Sequence, residues 1–353
     1  MRVLAGLIQA GLILAGLSLS TAAAASLPAQ GERGQLAQAN AALQSGEADR
    51  ALGLLNALAQ PGGLAEAYNL RCRVRFTLEQ WDLAATDCAQ AVKLDGGNAE
   101  NQQKSDDHMW LARSLGEKAS RASFLNAYSL AKRVRIEFEE AVQLNPRNAE
   151  ALADLGEYYY SAPEVLGGGY DKAERVAAQL EKADPVRAHV LRGNIAIARK
   201  EYGAAERELK QAVAESAHPA SQWITLADFY RSQGRWTEME SSVRSGENAA
   251  QRDRTAGAAL YDGASMLIRT NRDPARAARM LEGYLTGSKK TEEAPAFAAH
   301  TRLARLKAQL GDAAGASRER AAALALASEY QPARDLKLQE KFQDQKHRRI
   351  VRA

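Results

Sequence analysis

The chain has 353 residues, of which 46% are hydrophobic and 25% charged, and this balance excludes a disordered tail or a collagen-like fibre. Aromatic residues make up only 6%, which favours closely packed helices over sheets, because strands are rich in aromatic and β-branched side chains. Two cysteines exclude a disulfide-built scaffold or a Cys-rich zinc domain, and a formal net charge of +4 is too small to indicate nucleic-acid binding.

The first 25 residues have the pattern of a secretory signal. Arg2 precedes an apolar run over residues 5–17, which is shorter than the roughly 20 residues that a membrane span needs. Residues 23–25 are three alanines, an A-x-A-type cleavage site. The short run and the small residues after it disfavour the alternative, an uncleaved anchor helix. We predict a signal peptide over 1–25 and a bacterial protein that is periplasmic or secreted, with no transmembrane segment after cleavage.

The spacing of the prolines gives the first indication of an internal repeat. Pro185 and Pro219 lie 34 residues apart, and Pro146 lies 39 residues before Pro185. Two segments, 65–98 and 220–250, follow a single pattern of small, apolar and aromatic residues. In the first segment the pattern comprises Tyr68, Cys72, Ala84, Cys88 and Ala91, and in the second Trp223, Leu226, Ala227, Tyr230, Gly234 and Trp236.

This 34-residue pattern resembles the tetratricopeptide repeat, a helix hairpin in which positions 4, 7, 8 and 11 form one apolar stripe and positions 20, 24 and 27 another. Small residues at positions 8 and 20 let the two helices approach closely. Since one hairpin cannot bury both stripes, neighbouring hairpins must stack. The resemblance therefore implies an all-α fold, a right-handed α-solenoid of about eight hairpins.

Counting outward from the two clear segments predicts a solenoid over 26–328. Its units lie near 32–64, 65–98, 99–148, 149–185, 186–219, 220–253, 254–293 and 294–328. The unit at 99–148 is enlarged, and the unit at 149–185 contains a glycine-rich loop at 161–170. That loop lacks the residues of a phosphate-binding loop, so its glycines are expected to serve a long turn.

The last segment, 329–353, is predicted to be a capping helix followed by a basic tail. Leu336, Leu338 and Phe342 indicate a helix that covers the open end of the stack. The basic residues at 347–352 are expected either to be solvated or to make a peripheral contact with an anionic surface.

Aromatic residues recur at position 17, where the second helix of a hairpin begins. They are Trp81, Tyr170, Tyr202 and Trp236. An aromatic ligand site is one interpretation, but recurrence at one repeat position favours packing between hairpins.

No arrangement of residues in the sequence indicates catalysis. The five histidines, His108, His189, His218, His300 and His347, do not have the spacing of metal ligands. No G-x-S-x-G motif occurs, and neither cysteine has a recognisable His and Asn partner. We therefore expect a protein that is not an enzyme and has no metal or cofactor. A hydrolase within the two irregular units would require a nucleophile and a base that the sequence does not show.

Cys72 and Cys88 occupy positions 8 and 24 of a single hairpin, so they stand at similar heights on facing helices. In an oxidising compartment such a pair can form a disulfide that stabilises the fold by about 3 kcal/mol. The alternative is two small buried side chains. The sequence leaves both possibilities open.

The resemblance also implies a concave groove, lined by positions 2, 5, 9, 12 and 13 of the first helices. Transferred to this sequence, these positions give Asn69, Arg73, Phe76, Glu157, Tyr160, Arg187, Asn194, Asp228 and Arg231. The family's clamp for peptide carboxyl termini requires lysine and asparagine at positions where this chain has other residues. A carboxyl-terminal peptide ligand is therefore not indicated.

These patterns favour a non-enzymatic scaffold or adaptor in the bacterial cell envelope that binds a protein or peptide partner on its concave face. The alternative is a periplasmic component that binds a small ligand and is associated with a transporter. A deep apolar cavity would favour the small ligand, whereas an open polar groove would favour a peptide. The groove residues carry charges of both signs, which favours the peptide.

Overall fold

The computed structural model describes residues 30–95, 100–253, 255–287 and 289–337. Within these ranges the chain is helical, and the only β-type pairing is a single bridge between Thr291 and Ala294. The helices are α1 (Gln30–Ser45), α2 (Ala48–Leu55), α3 (Ala65–Thr77), α4 (Trp81–Leu94), α5 (Asn101–Ala119), α6 (Phe124–Leu144), α7 (Ala149–Ser161), α8 (Tyr170–Ala183), α9 (Pro185–Ala198), α10 (Tyr202–Glu215), α11 (Ala220–Ser232), α12 (Trp236–Arg252), α13 (Gly257–Arg269), α14 (Pro274–Gly287), α15 (Ala296–Gln309), α16 (Ala313–Leu326) and α17 (Gln331–Arg334).

Consecutive helices pair as hairpins, from α1 with α2 through to α15 with α16, and each hairpin packs on the next. The described ranges therefore contain eight stacked hairpins, followed by the short helix α17. The all-α fold of tetratricopeptide-type hairpins that the sequence predicts is confirmed. The predicted signal segment, 1–25, lies outside the described residues.

A residue with positive φ ends the turn of several hairpins, two or three residues before the second helix. The φ angles are 62° at Glu79, 63° at Lys200, 68° at Gly234, 50° at Asn271 and 87° at Gly311. This left-handed conformation reverses the chain tightly and sets the antiparallel arrangement of the two helices. Three of these five turns adopt it with a residue other than glycine.

Small residues let the helices of the stack approach closely. A Cβ atom on Gly156 would lie 2.9 Å from a methyl carbon of Leu191, and one on Gly263 would lie 2.6 Å from the methyl carbon of Met280. Cys72 and Cys88 join α3 to α4 through a disulfide, with their Cα atoms 5.3 Å apart. The closeness that the repeat requires at these positions explains the alanine-rich composition.

Three of the four aromatic residues at the start of the second helices contact the next hairpin. The guanidinium group of Arg121, in the hairpin after Trp81, lies 4.9 Å from the centre of the Trp81 ring. The guanidinium group of Arg272, in the hairpin after Trp236, lies 5.0 Å from the centre of the Trp236 ring. Tyr170 contacts Arg199 in the same way, at 5.1 Å. These cation–π contacts stabilise the stacking of neighbouring hairpins.

The two ends of the stack meet. The backbone N–H of Ser328 donates to Asp49 in the first hairpin at 2.9 Å, and the hydroxyl group of Tyr330 donates to Glu79 at 3.2 Å. Gly46 packs so closely on Ala296 that a Cβ atom there would meet the backbone nitrogen of Ala296. Apolar residues of the first two hairpins and of the last ones form one continuous core. The stack therefore closes on itself.

This closure differs from the expectation that the C-terminal segment covers an open end. The described part of that segment contains α17, and Tyr330 packs its ring against Phe297 at 4.7 Å while bonding to the second hairpin. Leu336 is half-buried, whereas Leu338, Phe342 and the basic residues of the tail lie outside the described residues. The segment therefore lies at the junction between the two ends.

The glycine-rich loop connects α7 to α8 through a short 3₁₀ helix at Glu164–Leu166. Gly167 and Gly169 have positive φ angles of 90° and 151°, as expected for a long turn. No helix in the described ranges is both long and apolar enough to cross a membrane.

Candidate functional site

Closure of the stack encloses a cleft between the first helices of the hairpins, which we call the inner cleft. It consists of a cavity of about 940 Å³ against α5, α7 and α13, and one of about 530 Å³ against α11 and α13. Asp262 and Glu293 line both cavities, so the two adjoin. The carboxylates of the lining are Glu117, Glu150, Asp154, Glu157, Asp228, Asp262, Glu292 and Glu293, and the arginines are Arg113, Arg187, Arg269 and Arg302.

Helical spacing places these side chains on one face of each first helix. On α7, Asp154, Glu157 and Ser161 follow one another at intervals of three and four residues. On α13, Asp262 and Arg269 lie seven residues apart and share a face in the same way. The cleft wall is therefore built mainly from side chains on helices, which hold their positions more rigidly than loops do.

Arg113 on α5 binds two carboxylates of α7. Its Nε atom donates to Asp154 at 2.6 Å and a terminal nitrogen donates to Glu150 at 3.2 Å. Burial raises the pKa of Asp154 even so. Glu157 has no such partner among the described residues, and desolvation by the cleft wall, together with the nearby charge of Asp154, raises the pKa of its carboxyl group as well. The ion pairs between described residues of this wall thus leave Glu157 without a cation of its own.

Asp262 lies at the point where the two cavities meet, with its side chain exposed to the cleft. It forms no hydrogen bond or ion pair with the described part of the chain. Desolvation by the surrounding wall raises the pKa of Asp262 to about 6, although Arg302 and Arg269 oppose this shift. Arg302 itself donates to Ser265 and lies over the ring of Tyr261.

The loop before α15 contributes Glu292 and Glu293 to the cleft. The buried hydroxyl group of Tyr284 donates to the carbonyl oxygen of Ala294, and accepts a bond from the backbone N–H of Thr291 at 3.3 Å. The loop is therefore fixed in place. It buries Glu292 and leaves Glu293 exposed in the cleft.

Two of the predicted groove residues are committed to internal contacts and do not line the inner cleft. Asn69 is buried and its amide donates to Asp107, whose pKa is raised by burial and by the nearby carboxyl group of Asp95. Arg73 donates to Glu292 through two nitrogens, at 2.9 and 2.6 Å. This bidentate pair joins the second hairpin to the loop before the last one, so Arg73 holds the closure of the stack.

Five of the remaining predicted residues line the cleft, namely Phe76, Glu157, Arg187, Asn194 and Asp228. Tyr160 and Arg231 lie beside it: Tyr160 is close to Asn194, and Arg231 donates to Asp228 at 2.8 Å. The structure thus brings much of the predicted groove together in one continuous wall. It assigns internal partners to the rest.

Position-by-position transfer from the repeat missed Asp154, Asp262 and the residues of the loop before α15. Asp154 lies three residues before Glu157, so helical spacing alone places it on the same face. Asp262 follows Asp228 by one repeat of 34 residues, which is the signal that finds it. Glu292 and Glu293 reach the cleft only because the stack closes, and no periodicity in the sequence indicates that.

The described histidines each pair with a carboxylate on a neighbouring helix or turn. His108 lies 2.6 Å from Glu137, His189 2.7 Å from Glu208, His218 2.6 Å from Asp253 and His300 2.7 Å from Glu319. None of them lines the inner cleft. In the described ranges, no group of three or more His, Cys, Asp or Glu side chains is arranged to hold a metal ion.

No protein-family model and no curated protein sequence matches the chain. Among solved structures, it is similar to a thermophilic tetratricopeptide-repeat protein of Thermus thermophilus, with 22% identity, a TM-score of 0.42, and coverage of 58% of this chain and 99% of the other. It is also similar to a tetratricopeptide-repeat protein of Parabacteroides merdae, with 14% identity and a TM-score of 0.42. That match covers 87% of this chain and 100% of the other. The C-terminal part of a repeat protein of Cytophaga hutchinsonii matches with 16% identity and a TM-score of 0.39. That match covers 73% of this chain and 97% of the other.

Proposed function

We propose that this protein is a non-enzymatic scaffold of the bacterial cell envelope, and that it binds a segment of a protein partner in the inner cleft. The observation that carries the proposal is the cleft itself, two adjoining cavities lined by side chains from successive first helices. Stacked helix hairpins use such concave surfaces for binding.

The chemistry of the wall suits a peptide better than a small apolar molecule. Carboxylates and guanidinium groups share the wall of the larger cavity with Trp110, Phe76 and Tyr158. Charged side chains fix the register of a bound chain, and aromatic rings supply the buried contact area on which affinity depends. A small-ligand site holds a small number of polar groups, whereas this lining holds eight carboxylates and four arginines.

Two features support placement in the cell envelope. The first 25 residues have the pattern of a secretory signal. The disulfide between Cys72 and Cys88 is of the kind that persists in oxidising compartments and is rare in the cytosol. Fractionation of cells, with sequencing of the mature amino terminus, tests this part of the proposal. An amino terminus near Ser26 in the periplasmic or secreted fraction is the expected result.

Site-specific photocrosslinking in cells tests the binding. A benzophenone amino acid replaces Ser161 or Ser221, which are exposed and line the cleft, and in a matched control it replaces Ser241, which is exposed on α12 outside it. We expect a discrete protein adduct from both cleft positions and none from the control. Absence of a protein adduct from the cleft, together with a small molecule that co-purifies in stoichiometric amount, would overturn the proposal.

A further inference from the structure

The inner cleft is more acidic than the protein as a whole. Its lining contains eight carboxylates and four arginines, whereas the whole chain has a formal net charge of +4. The basic residues of the chain are therefore concentrated elsewhere. A concave surface with an excess of one sign focuses the field into the cleft and attracts ligands of the opposite sign.

The ion pairs within the wall do not account for all of these carboxylates. Asp154 and Glu150 bind Arg113, and Glu292 binds Arg73. Glu157, Asp262 and Glu293 form no hydrogen bond or ion pair with the described part of the chain. All three side chains are exposed in the cleft, where a ligand can reach them.

A second observation on the wall is independent of its charge. Thr291 lines the larger cavity, and its hydroxyl oxygen is buried without a hydrogen-bond partner among the described residues. A buried hydroxyl group without a partner lowers stability until a donor or an acceptor reaches it. Thr291 lies two residues before Glu293, so a polar ligand that enters beside Glu293 comes close to this hydroxyl group.

The three unpaired carboxylates are distributed over α7, α13 and the loop before α15. Across the residues that the structure describes, no group of three or more His, Cys, Asp or Glu side chains is placed to hold a metal ion. An extended chain with several ammonium or guanidinium groups can reach carboxylates on separate elements, and its lysine and arginine side chains supply donors to Glu157, Asp262 and Glu293.

We propose that the segment bound in the inner cleft is cationic, a peptide whose lysine or arginine side chains pair with Glu157, Asp262 and Glu293. This inference rests on the proposed function, since it names the chemistry of the partner at that same site. The attraction is electrostatic, so affinity falls as ionic strength rises.

Selection from a random 12-residue peptide library, displayed to the purified full chain, tests the inference. Selected peptides are labelled and their dissociation constants measured by fluorescence anisotropy at low and high salt. We expect lysine and arginine to be enriched in the selected peptides, and binding to weaken with salt. In the variant E157Q/D262N/E293Q, which keeps the shape of each side chain, we expect binding to weaken about tenfold.

The matched control is E164Q/D171N/E201Q, which removes the same number of Glu and Asp charges from exposed positions outside the cleft. The control is expected to bind the selected peptides as the unmodified protein does. Circular dichroism of both triple variants separates loss of binding from loss of folding.

The outcomes distinguish the two proposals. If neutral or acidic peptides are selected, or if the cleft variant and the control bind equally, the cationic inference fails while the proposed function stands. If no peptide is enriched and no protein adduct forms at the cleft positions, the proposed function fails, and the inference fails with it. Spermine, added as a competitor, tests whether any cation suffices: full displacement at micromolar concentration would show that the cleft does not require a peptide, and would overturn the inference.

Discussion

Glu206 and Asp262 show that the protein treats carboxylates differently outside and inside the inner cleft. Glu206 on α10 accepts hydrogen bonds from Arg235 at 2.6 Å and Tyr230 at 2.9 Å, and pairs with Lys210 at 2.8 Å. The bonds from Arg235 and Lys210 lower the pKa of Glu206 to about 2. Asp262 has no such partner, and desolvation raises the pKa of its carboxyl group to about 6.

The difference teaches how a repeat protein with nearly balanced charge can still present a charged binding surface. Between hairpins, an acidic group such as Glu206 receives a cation from the neighbouring hairpin, here Arg235. Inside the cleft, Glu157, Asp262 and Glu293 have no such cation among the described residues. Their negative charge lowers stability in the free protein, and a bound cation would offset that loss.

The largest expected effect comes from Glu292, a cleft carboxylate that is buried and fully paired. Its side chain is 8% exposed and that of Arg73 is 21% exposed. The substitution E292A leaves the guanidinium group of Arg73 without its partner at the junction of the two ends. We therefore expect the free energy of unfolding to fall by about 3 kcal/mol. Chemical denaturation measures this change, and small-angle scattering measures any opening of the stack.

The neighbouring substitution E293Q is the control, because Glu293 makes no ion pair in the described part of the chain. It should change the free energy of unfolding by less than about 0.5 kcal/mol. Equal effects of the two substitutions would show that the Arg73–Glu292 pair does not hold the ends together.

The hairpins could be predicted from the sequence because the information for them is local. Ala84 and Ala227 lie at the small-residue positions of the repeat and are fully buried, and both follow from a 34-residue period. Trp81, Tyr170 and Trp236 at position 17 likewise contact the next hairpin, as their recurrence indicates.

The closure and the completed cleft could not be predicted in this way. Arg73 and Glu292 are separated by 219 residues, and they meet only because small rotations accumulate over all the intervening hairpins. No single repeat contains that sum. The same reason explains why the sequence predicted Arg73 to be a groove residue. Its position within the hairpin is that of a groove residue, but in the closed stack Glu292, in the loop before α15, binds its guanidinium group.

A smaller effect is expected at Glu206, where the substitution E206Q removes the charge that Arg235 and Lys210 bind. In the folded protein the pKa of Glu206 is about 2, below its usual value. The stabilisation that its ionised carboxylate provides is therefore present above about pH 4.5 and is lost as the pH falls through 2. We expect E206Q to lower the free energy of unfolding at pH 7 by about 1 kcal/mol, since solvent and salt screen the group. Denaturation at pH 7 in low and high salt measures the change. An effect that does not shrink in high salt would contradict an electrostatic origin.

The smallest effect, and one of opposite sign, is expected at Asp262. Its pKa is raised in the folded protein, so the unfolded chain ionises first, and stability falls as the pH rises from about 4 to 6. The substitution D262N removes this loss, and we expect the variant to be more stable than the unmodified protein at pH 7.5, by about 1 kcal/mol or less because the side chain contacts solvent. The two proteins should unfold alike at pH 4. A variant that is less stable than the unmodified protein at pH 7.5 would show that Asp262 has a stabilising partner, and that its charge is not held available for a ligand.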